Sequence, residues 1–233
     1  KRQATVGERL LMMQYSGFGG LKFVLNPIES EIDINHWRKT EHDLFPLTQE
    51  LHRLLKENSG DDKQYRRYVD SMKSSVLTAF YTPPQVINAI SETLRESGLH
   101  IDKFLEPSAG IGSFIQSFSE SQKANVTAYE KDLLTGKILK QLYPESNVRV
   151  SGFEEIPERE QNSYDVVASN IPFGDTSVFD LSYTRSRDDA KIQAARSIHN
   201  YFFLKGADML REGGLLVYIT SQGILNSPKN EPI

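Results

Sequence analysis

The segment Asn170-Ile171-Pro172-Phe173-Gly174 carries the sharpest chemical signal in the chain. It follows an apolar run from Tyr164 to Ser169, fixes the backbone at Pro172, and offers an aromatic at Phe173 that can stack on a planar ring. The side-chain oxygen of Asn170 and the carbonyl of Ile171 can together accept both hydrogens of one exocyclic amino group. Engaging both N–H bonds localises the nitrogen lone pair and aims it at an electrophile, so no formal general base is needed. Asn and Pro are also ordinary turn formers, and a plain βα turn accounts for the segment in isolation.

Upstream, Glu106-Pro107-Ser108-Ala109-Gly110-Ile111-Gly112 sets an acid, a proline and two glycines between the apolar pair Phe104-Leu105 and a helical pattern around Phe114 to Phe118. Glycines let a backbone approach a ligand, and a helix N-terminus presents unpaired N–H groups. The third glycine of a dinucleotide fingerprint is missing, with Phe114 near its place, and no Lys-Ser/Thr pair follows Gly112, which excludes a P-loop. A mere tight turn explains this segment about as well. Glu130 closes the next apolar run, about 20 residues on, where an acid can accept both hydroxyls of a ribose. A surface acid at a strand end is the plain alternative. Together the two elements suggest a nucleoside-containing cofactor, and the absence of a phosphate cradle points away from NAD and ATP.

Positioning these residues requires a particular scaffold. Before about residue 80 the patterns are helical, at Glu8 to Tyr15, Leu47 to Lys56 and Gln64 to Leu77, with Gly/Pro/Asn punctuation between them. Residues 1–77 are therefore expected to form an N-terminal helical extension. Thr82-Pro83-Pro84 then begins a helix whose apolar positions Val86, Ile87, Ile90 and Leu94 recur at helical spacing until Gly98. Short apolar runs alternate with helical patterns from there: Val126 to Tyr129, a helix from Leu133 to Leu142, Val148 to Val150, Tyr164 to Ser169, a helix from Ile192 to Leu210, and Leu215 to Thr220. Such alternation implies an α/β fold with a doubly wound parallel sheet, Rossmann-like in kind. Ligands bind beyond the carboxyl ends of such strands, where Glu106 to Gly112, Glu130, Gly152-Phe153-Glu154 and Asn170 to Phe173 all fall.

Composition narrows the chemistry. The 233 residues contain no cysteine, which removes disulfides, Cys-ligated zinc, iron–sulfur clusters and any thiol nucleophile. His36, His42, His52, His100 and His199 show no paired ligand spacing, so no metal is expected. Lys and Arg number 27 against 31 Asp and Glu, a net charge of −4, unlike a small basic nucleic-acid module but compatible with an acidic enzyme carrying a local basic face. No apolar run approaches the roughly 20 residues needed to span a bilayer, and no signal peptide stands at the start, so a cytoplasmic location without membrane partners is expected.

The order Thr82-Pro83-Pro84, Glu106 to Gly112, Tyr129-Glu130, Gly152-Phe153 and Asn170 to Phe173 resembles the S-adenosylmethionine-dependent amino-methyltransferases. Within them it resembles the N6-adenine DNA methyltransferases whose cofactor-carboxylate segment precedes the glycine motif. Ile198 to Phe203 and Gly213 to Thr220 fit the same family. With Ser16 to Leu21 and Asn170 to Asp175 included, the chain is similar to the methylase region of large methylase–helicase proteins of plasmids, phages and conjugative elements. The match covers residues 78–226, the expected catalytic domain.

The resemblance implies S-adenosyl-L-methionine as cofactor and double-stranded DNA as partner. Tyr81, Thr82 and nearby backbone would hold the methionine carboxylate, while Glu106, Pro107, Ser108, Ala109, Gly110 and Gly112 wrap the amino-acid end. Glu130 would take the ribose and Phe153 pack on the cofactor adenine. Asn170 and the Ile171 carbonyl would grip the target amine, with Pro172 fixing the backbone beside them and Phe173 stacked on an adenine extruded from the duplex. Zero cysteine fits, because C5-cytosine methylation needs a covalent thiol and direct transfer to an amine does not. RNA or protein glutamine is an alternative acceptor, and an inactive cofactor- or DNA-binding module is the alternative to an enzyme.

Three departures from the family pattern stand out. Ile171 replaces the usual second-position proline but keeps its carbonyl. Gly152 stands where many relatives place an acid, so recognition of the cofactor's N6 passes to Glu154 or is lost. Relatives continue past the last strand, so a C-terminally truncated sheet is expected, with 227–233 as its tail and a recognition or helicase region downstream in the parent chain. The basic clusters Arg66, Arg67, Lys73 and Arg185, Arg187, Lys191, Arg196 suit either DNA phosphates or ordinary solvated faces, and Trp37 is expected in the core.

Overall fold

The computed structural model describes residues 2–78, 82–122, 124–172, 174 and 176–221. Tyr81 and Phe173, two of the expected site residues, lie outside the described residues, as does the tail 227–233. In chain order the helices α1 (Val6–Met12), α2 (Phe45–Glu57), α3 (Asp62–Thr78) and α4 (Pro84–Glu96) lead into β1 (Lys103–Glu106), α5 (Ser113–Gln122), β2 (Asn125–Tyr129), α6 (Leu133–Leu142) and β3 (Asn147–Arg149). Then come β4 (Tyr164–Asn170), α7 (Leu181–Thr184), α8 (Asp189–Ala194), α9 (Ile198–Met209) and β5 (Leu210–Ile219). The chain forms two compact units.

One unit comprises residues 16–79 with 132–134. Trp37 is buried there, its ring 5.2 Å from Phe23 and 5.2 Å from Phe45, with Nε1 donating to the Pro27 carbonyl at 3.0 Å. Tyr68 and Met72 of α3 pack with Leu55 of α2. Ser71 Oγ donates to Asp132 at 2.8 Å and accepts the Leu133 N–H at 2.8 Å, which explains why residues 132–134 belong to this unit.

The other unit comprises residues 1–15, 80–131 and 135–233, so the front of the chain joins this unit and not the helical one. Thr5 and Glu8 form a capping box on α1, and the Ala4 N–H donates to Gln141 Oε1 of α6 at 2.8 Å. Five parallel strands make one sheet in the order β3-β2-β1-β4-β5. Parallel strands buried on both faces read as continuous apolar runs, as Tyr164 to Ser169 does, every residue of it buried. Phe104, Val166 and Ala168 face the layer of Ile87, Leu94, Phe114, Phe118 and Leu139. Leu105 and Val167 face Phe153, Tyr201 and Met209 on the other side.

The expected single helix from Ile192 to Leu210 breaks at residues 195–197 into α8 and α9. The last strand starts at Leu210, five positions ahead of the expected Leu215, because the sheet absorbs extra residues opposite a single position: Tyr164 pairs with Leu210 and Val166 with Leu215. Gly213 turns this bulge with φ 74°, and Arg211 pairs with Asp165. Asp165 also accepts the N–H groups of Asp102 and Lys103 at 2.8 Å each, locking the entry ends of β1 and β4 together. Among the described residues no helix is long and apolar enough to cross a membrane.

Candidate active site

The sheet order sets four strand ends in a row. Gly152-Phe153-Glu154 follows β3, Glu130 follows β2, Glu106 to Gly112 spans the exit of β1, and Asn170 closes β4. Hydrogen bonds join neighbours along this row. Glu130 N–H donates to the Arg149 carbonyl at the end of β3 at 3.0 Å, and Ala109 N–H to the Tyr129 carbonyl of β2 at 2.9 Å. Glu130 Oε2 accepts the Gly110 N–H at 2.8 Å, which brings the expected ribose acid onto the glycine turn. Ser169, fully buried in β4, donates to the Ser108 carbonyl at 2.9 Å and so ties β4 to that same turn.

The glycine turn has the conformation its sequence suggests. Gly110 has φ 54° and Gly112 φ 86°, left-handed values that disfavour any side chain. A β-carbon on Gly112 would also overlap the ring of Tyr143. Gly112 therefore opens α5 at close quarters, with the N–H groups of the first helical turn directed back toward β1. The Glu106 carboxylate takes one of them, from Ile115.

Glu106 is 1% exposed, and its Oε2 has no hydrogen-bond partner among the described residues. Burial, reinforced by the nearby charge of Glu130, holds its carboxyl well above the usual carboxylate range. The buried hydroxyls Thr82 Oγ1, just before α4, and Thr220 Oγ1, just after β5, also lack hydrogen-bond partners among the described residues. Buried polar atoms are almost always satisfied in folded proteins, so such atoms at strand ends and a helix start are candidates for bonding to a polar ligand. By type, a buried acid suits an ammonium, and a hydroxyl with helical N–H groups suits a carboxylate, which makes these groups candidates for the amino-acid end of a nucleoside cofactor.

At the acceptor side, the Ile171 side chain is buried in the core and its N–H donates to the Ile219 carbonyl at 3.2 Å, which fixes the Asn170–Ile171 peptide just ahead of the Ile171 carbonyl. Pro172 is half-buried. At the far end of the row, Phe153 is 1% exposed, with Tyr129, Tyr201 and Phe202 rings centred 6.2, 6.2 and 5.3 Å away, so its ring sits inside the core. Glu154 pairs with Lys131 Nζ at 2.6 Å. No group of three or more His, Asp or Glu suited to a metal ion occurs among the described residues.

Sequence reasoning missed two features. Ser169 looks like the end of an apolar strand, and only its place directly before Asn170 singles it out. The second is a buried polar network behind the segment that follows Pro172. Asp180 accepts from Lys205 Nζ at 2.9 Å, Tyr201 Oη at 2.7 Å and Ser182 Oγ at 2.6 Å, while Tyr183 Oη donates to Asp208 at 2.8 Å. Against the desolvation of a buried acid, those bonds from Ser182, Tyr201 and Lys205 hold the Asp180 carboxyl below its usual value. Lys191, from the second of the basic clusters, has a structural partner here: it pairs with Asp208 at 2.9 Å, beside the fully buried Tyr183.

Comparison with known proteins agrees with this architecture. The family model described as Eco57I restriction-modification methylase matches residues 74–232. Defense against restriction protein B of Escherichia phage P1 is 29% identical over 154 residues, which cover 64% of this chain and 6% of that protein. The chain thus spans a small part of its curated relative. A structure described as the modification subunit of a type I restriction enzyme from Vibrio vulnificus superimposes with a TM-score of 0.52 at 15% identity, over 81% of this chain and 45% of that one. A structure described as a class I S-adenosylmethionine-dependent methyltransferase from Listeria monocytogenes gives 0.50 at 12% identity, over 90% and 66%. These likenesses establish the Rossmann-like methyltransferase fold.

Proposed function

The chain belongs to the Eco57I restriction-modification methylase family, and on that premise we propose that it transfers a methyl group from S-adenosylmethionine to the N6 amine of adenine in double-stranded DNA. The observation that carries this reading is the match between two linear orders. Along the sheet the strand ends run Glu154, Glu130, Glu106 to Gly112, Asn170. Along the reacting assembly the groups run adenine, ribose, methionyl end with its sulfonium, acceptor amine. Each chemical part meets a residue type suited to it.

Thr82 and the N–H groups at the start of α5 would hold the carboxylate, Glu106 the ammonium, and Glu130 the ribose hydroxyls. Bound there, S-adenosylmethionine supplies an electrophilic methyl group on a sulfonium. Asn170 Oδ1 and the Ile171 carbonyl accept the two amine hydrogens, which raises electron density on the nitrogen and fixes its direction of approach. Pro172 keeps this acceptor pair rigid, and Phe173 is proposed to stack on the extruded base. Extruding an adenine costs a few kcal/mol, which stacking and the two amine bonds offset. After transfer the amine proton passes to solvent.

The test is nucleoside mass spectrometry on DNA from a methylation-free bacterial host expressing the chain, beside an Asn170→Ala control. N6-methyladenine that disappears in the control is the expected result. DNA without N6-methyladenine, together with labelled methyl groups appearing in RNA or protein, would overturn the acceptor assignment.

A further inference from the structure

Residues 176–197 lie at the carboxyl edge of the sheet, the edge that Asn170 closes. β4 ends there and β5 runs parallel to it, so α9 must start on the same edge to bring the chain back. In this stretch Val178 is 8% and Asp180 6% exposed, while Phe179 between them is 76% exposed. The Val178 N–H donates to the Ala195 carbonyl at 2.8 Å, and Asp180 is the centre of the buried network that includes Tyr201 and Lys205. With both neighbours anchored and the backbone extended at Asp180, the Phe179 ring is turned outward, where core packing gives it no role.

Phe179 lines an open cleft of about 300 Å³. Val178 and Ile192 add to its apolar lining, and Ser177, Thr184 and Arg196 give it polar groups. That volume is at the small end of ligand-binding clefts and suits a single nucleotide. Arg185, Arg187 and Arg196 are exposed and form no ion pair among the described residues, whereas Lys191 of the same stretch is held by Asp208. The exposed acids here are Asp188 and Asp189, and Asp188 caps α8 by accepting the Ala190 N–H at 2.9 Å. Gln193 Oε1 accepts from Arg196 Nη1 at 3.2 Å, which steadies that guanidinium beside the cleft. An exposed aromatic, two hydroxyls and a guanidinium match the parts of a nucleotide: a base to stack, a sugar to contact and a phosphate to neutralise. Resting on the reading of DNA as the substrate, we propose that this cleft holds one unpaired nucleotide beside the methylation target, its base stacked on Phe179 and its phosphate on Arg196. The site shares no residue with the Asn170 to Phe173 segment assigned to the extruded adenine. Stacking reads only the face of a base, so the cleft adds affinity for opened DNA without setting the target sequence.

The experiment measures binding of a fluorescent thymine-only oligonucleotide, which offers no adenine to the acceptor segment, by anisotropy across a salt series. The wild-type chain is expected to bind it. Phe179→Ala should weaken that binding by about five- to 150-fold, the range of one base–aromatic stack, with the melting temperature unchanged because the ring is exposed. Phe179→Trp should keep the affinity. Arg196→Gln should weaken binding and reduce the slope of log affinity against log salt by about 0.7, the share of one phosphate on a single strand. A Phe179→Ala chain that binds as tightly as wild type would overturn the subsite and leave the DNA reading intact, as would a wild-type chain that binds an adenine-containing duplex but not the oligonucleotide. Self-association of the wild-type chain in sedimentation that Phe179→Ala abolishes, with oligonucleotide binding unchanged, would overturn it too and give this face to a second copy. Binding of neither DNA by the wild-type chain would overturn both readings.

Discussion

Asp180 and Glu106 are both buried acids of one compact unit, 6% and 1% exposed. Around Asp180 both oxygens are engaged, Oδ1 by Ser182 and Oδ2 by Tyr201 and Lys205. Around Glu106 one helical N–H is accepted and Oε2 has no partner among the described residues. The carboxyl held by bonds is pulled down in pKa, and the carboxyl left short of bonds is pushed up. A completed network is scaffold: it pins the chain beyond Pro172 to α9. Under the proposed function, the incomplete one is a site that the ligand finishes.

The sharpest way to break this contrast is to truncate each acid's surroundings and compare signs. Asp180→Ala leaves Lys205, 1% exposed, buried without its counter-ion, and should cost about 3–5 kcal/mol in urea unfolding. Asn170→Ala should lower methyl transfer by about 10²–10³-fold, because under the proposed function it removes an acceptor that holds the substrate amine. Thr82→Val should go the other way from Asp180→Ala. Replacing an unpartnered buried hydroxyl by a methyl should leave stability unchanged or raise it by about 1 kcal/mol, while calorimetry shows weaker S-adenosylmethionine binding.

Glu106→Gln sharpens the same point through pH. The folded chain keeps Glu106 protonated above the 4.5 of an ordinary glutamate, so the unfolded chain releases its proton first. This residue therefore takes stability away as pH rises from about 4.5 toward its raised folded value. Without cofactor, Glu106→Gln should be more stable than wild type at pH 8 and closer to it at pH 4, as read from thermal unfolding. The smallest effect is reserved for Lys131→Ala. Its ion pair is mostly exposed on the lysine side, and its loss should change stability by no more than about 1 kcal/mol.

Much of the scaffold was legible because parallel strands and amphipathic helices write local patterns. Tyr164 to Ser169 reads as a doubly buried strand, and Pro83-Pro84 as a helix start. The glycine turn and Glu130 were legible as neighbours because the spacing between them spans one crossover. Features made by distant partners were not. Nothing local links Asp180 to Lys205, 25 residues apart, or Ala4 to Gln141, 137 apart, so the polar network and the place of the first 15 residues emerged only in three dimensions. The early start of β5 was hidden for a related reason, since a bulge at Arg211 to Gly214 breaks the alternation that marks a strand. Glu154 lay between: the sequence raised it as a replacement for the acid missing at Gly152, and only three dimensions show its carboxylate folded back over that glycine.

Under the proposed function the incompletely bonded groups around Glu106 receive the cofactor and the completed network around Asp180 does not. Hydrogen–deuterium exchange of the chain with and without S-adenosylmethionine tests it directly, since both clusters report in one measurement. Slower exchange in segments covering 106–115, 130–131 and 152–154, with 180–184 and 201–208 unchanged, is the expected result. Protection confined to the Asp180 network, or none anywhere at saturating cofactor, would contradict it.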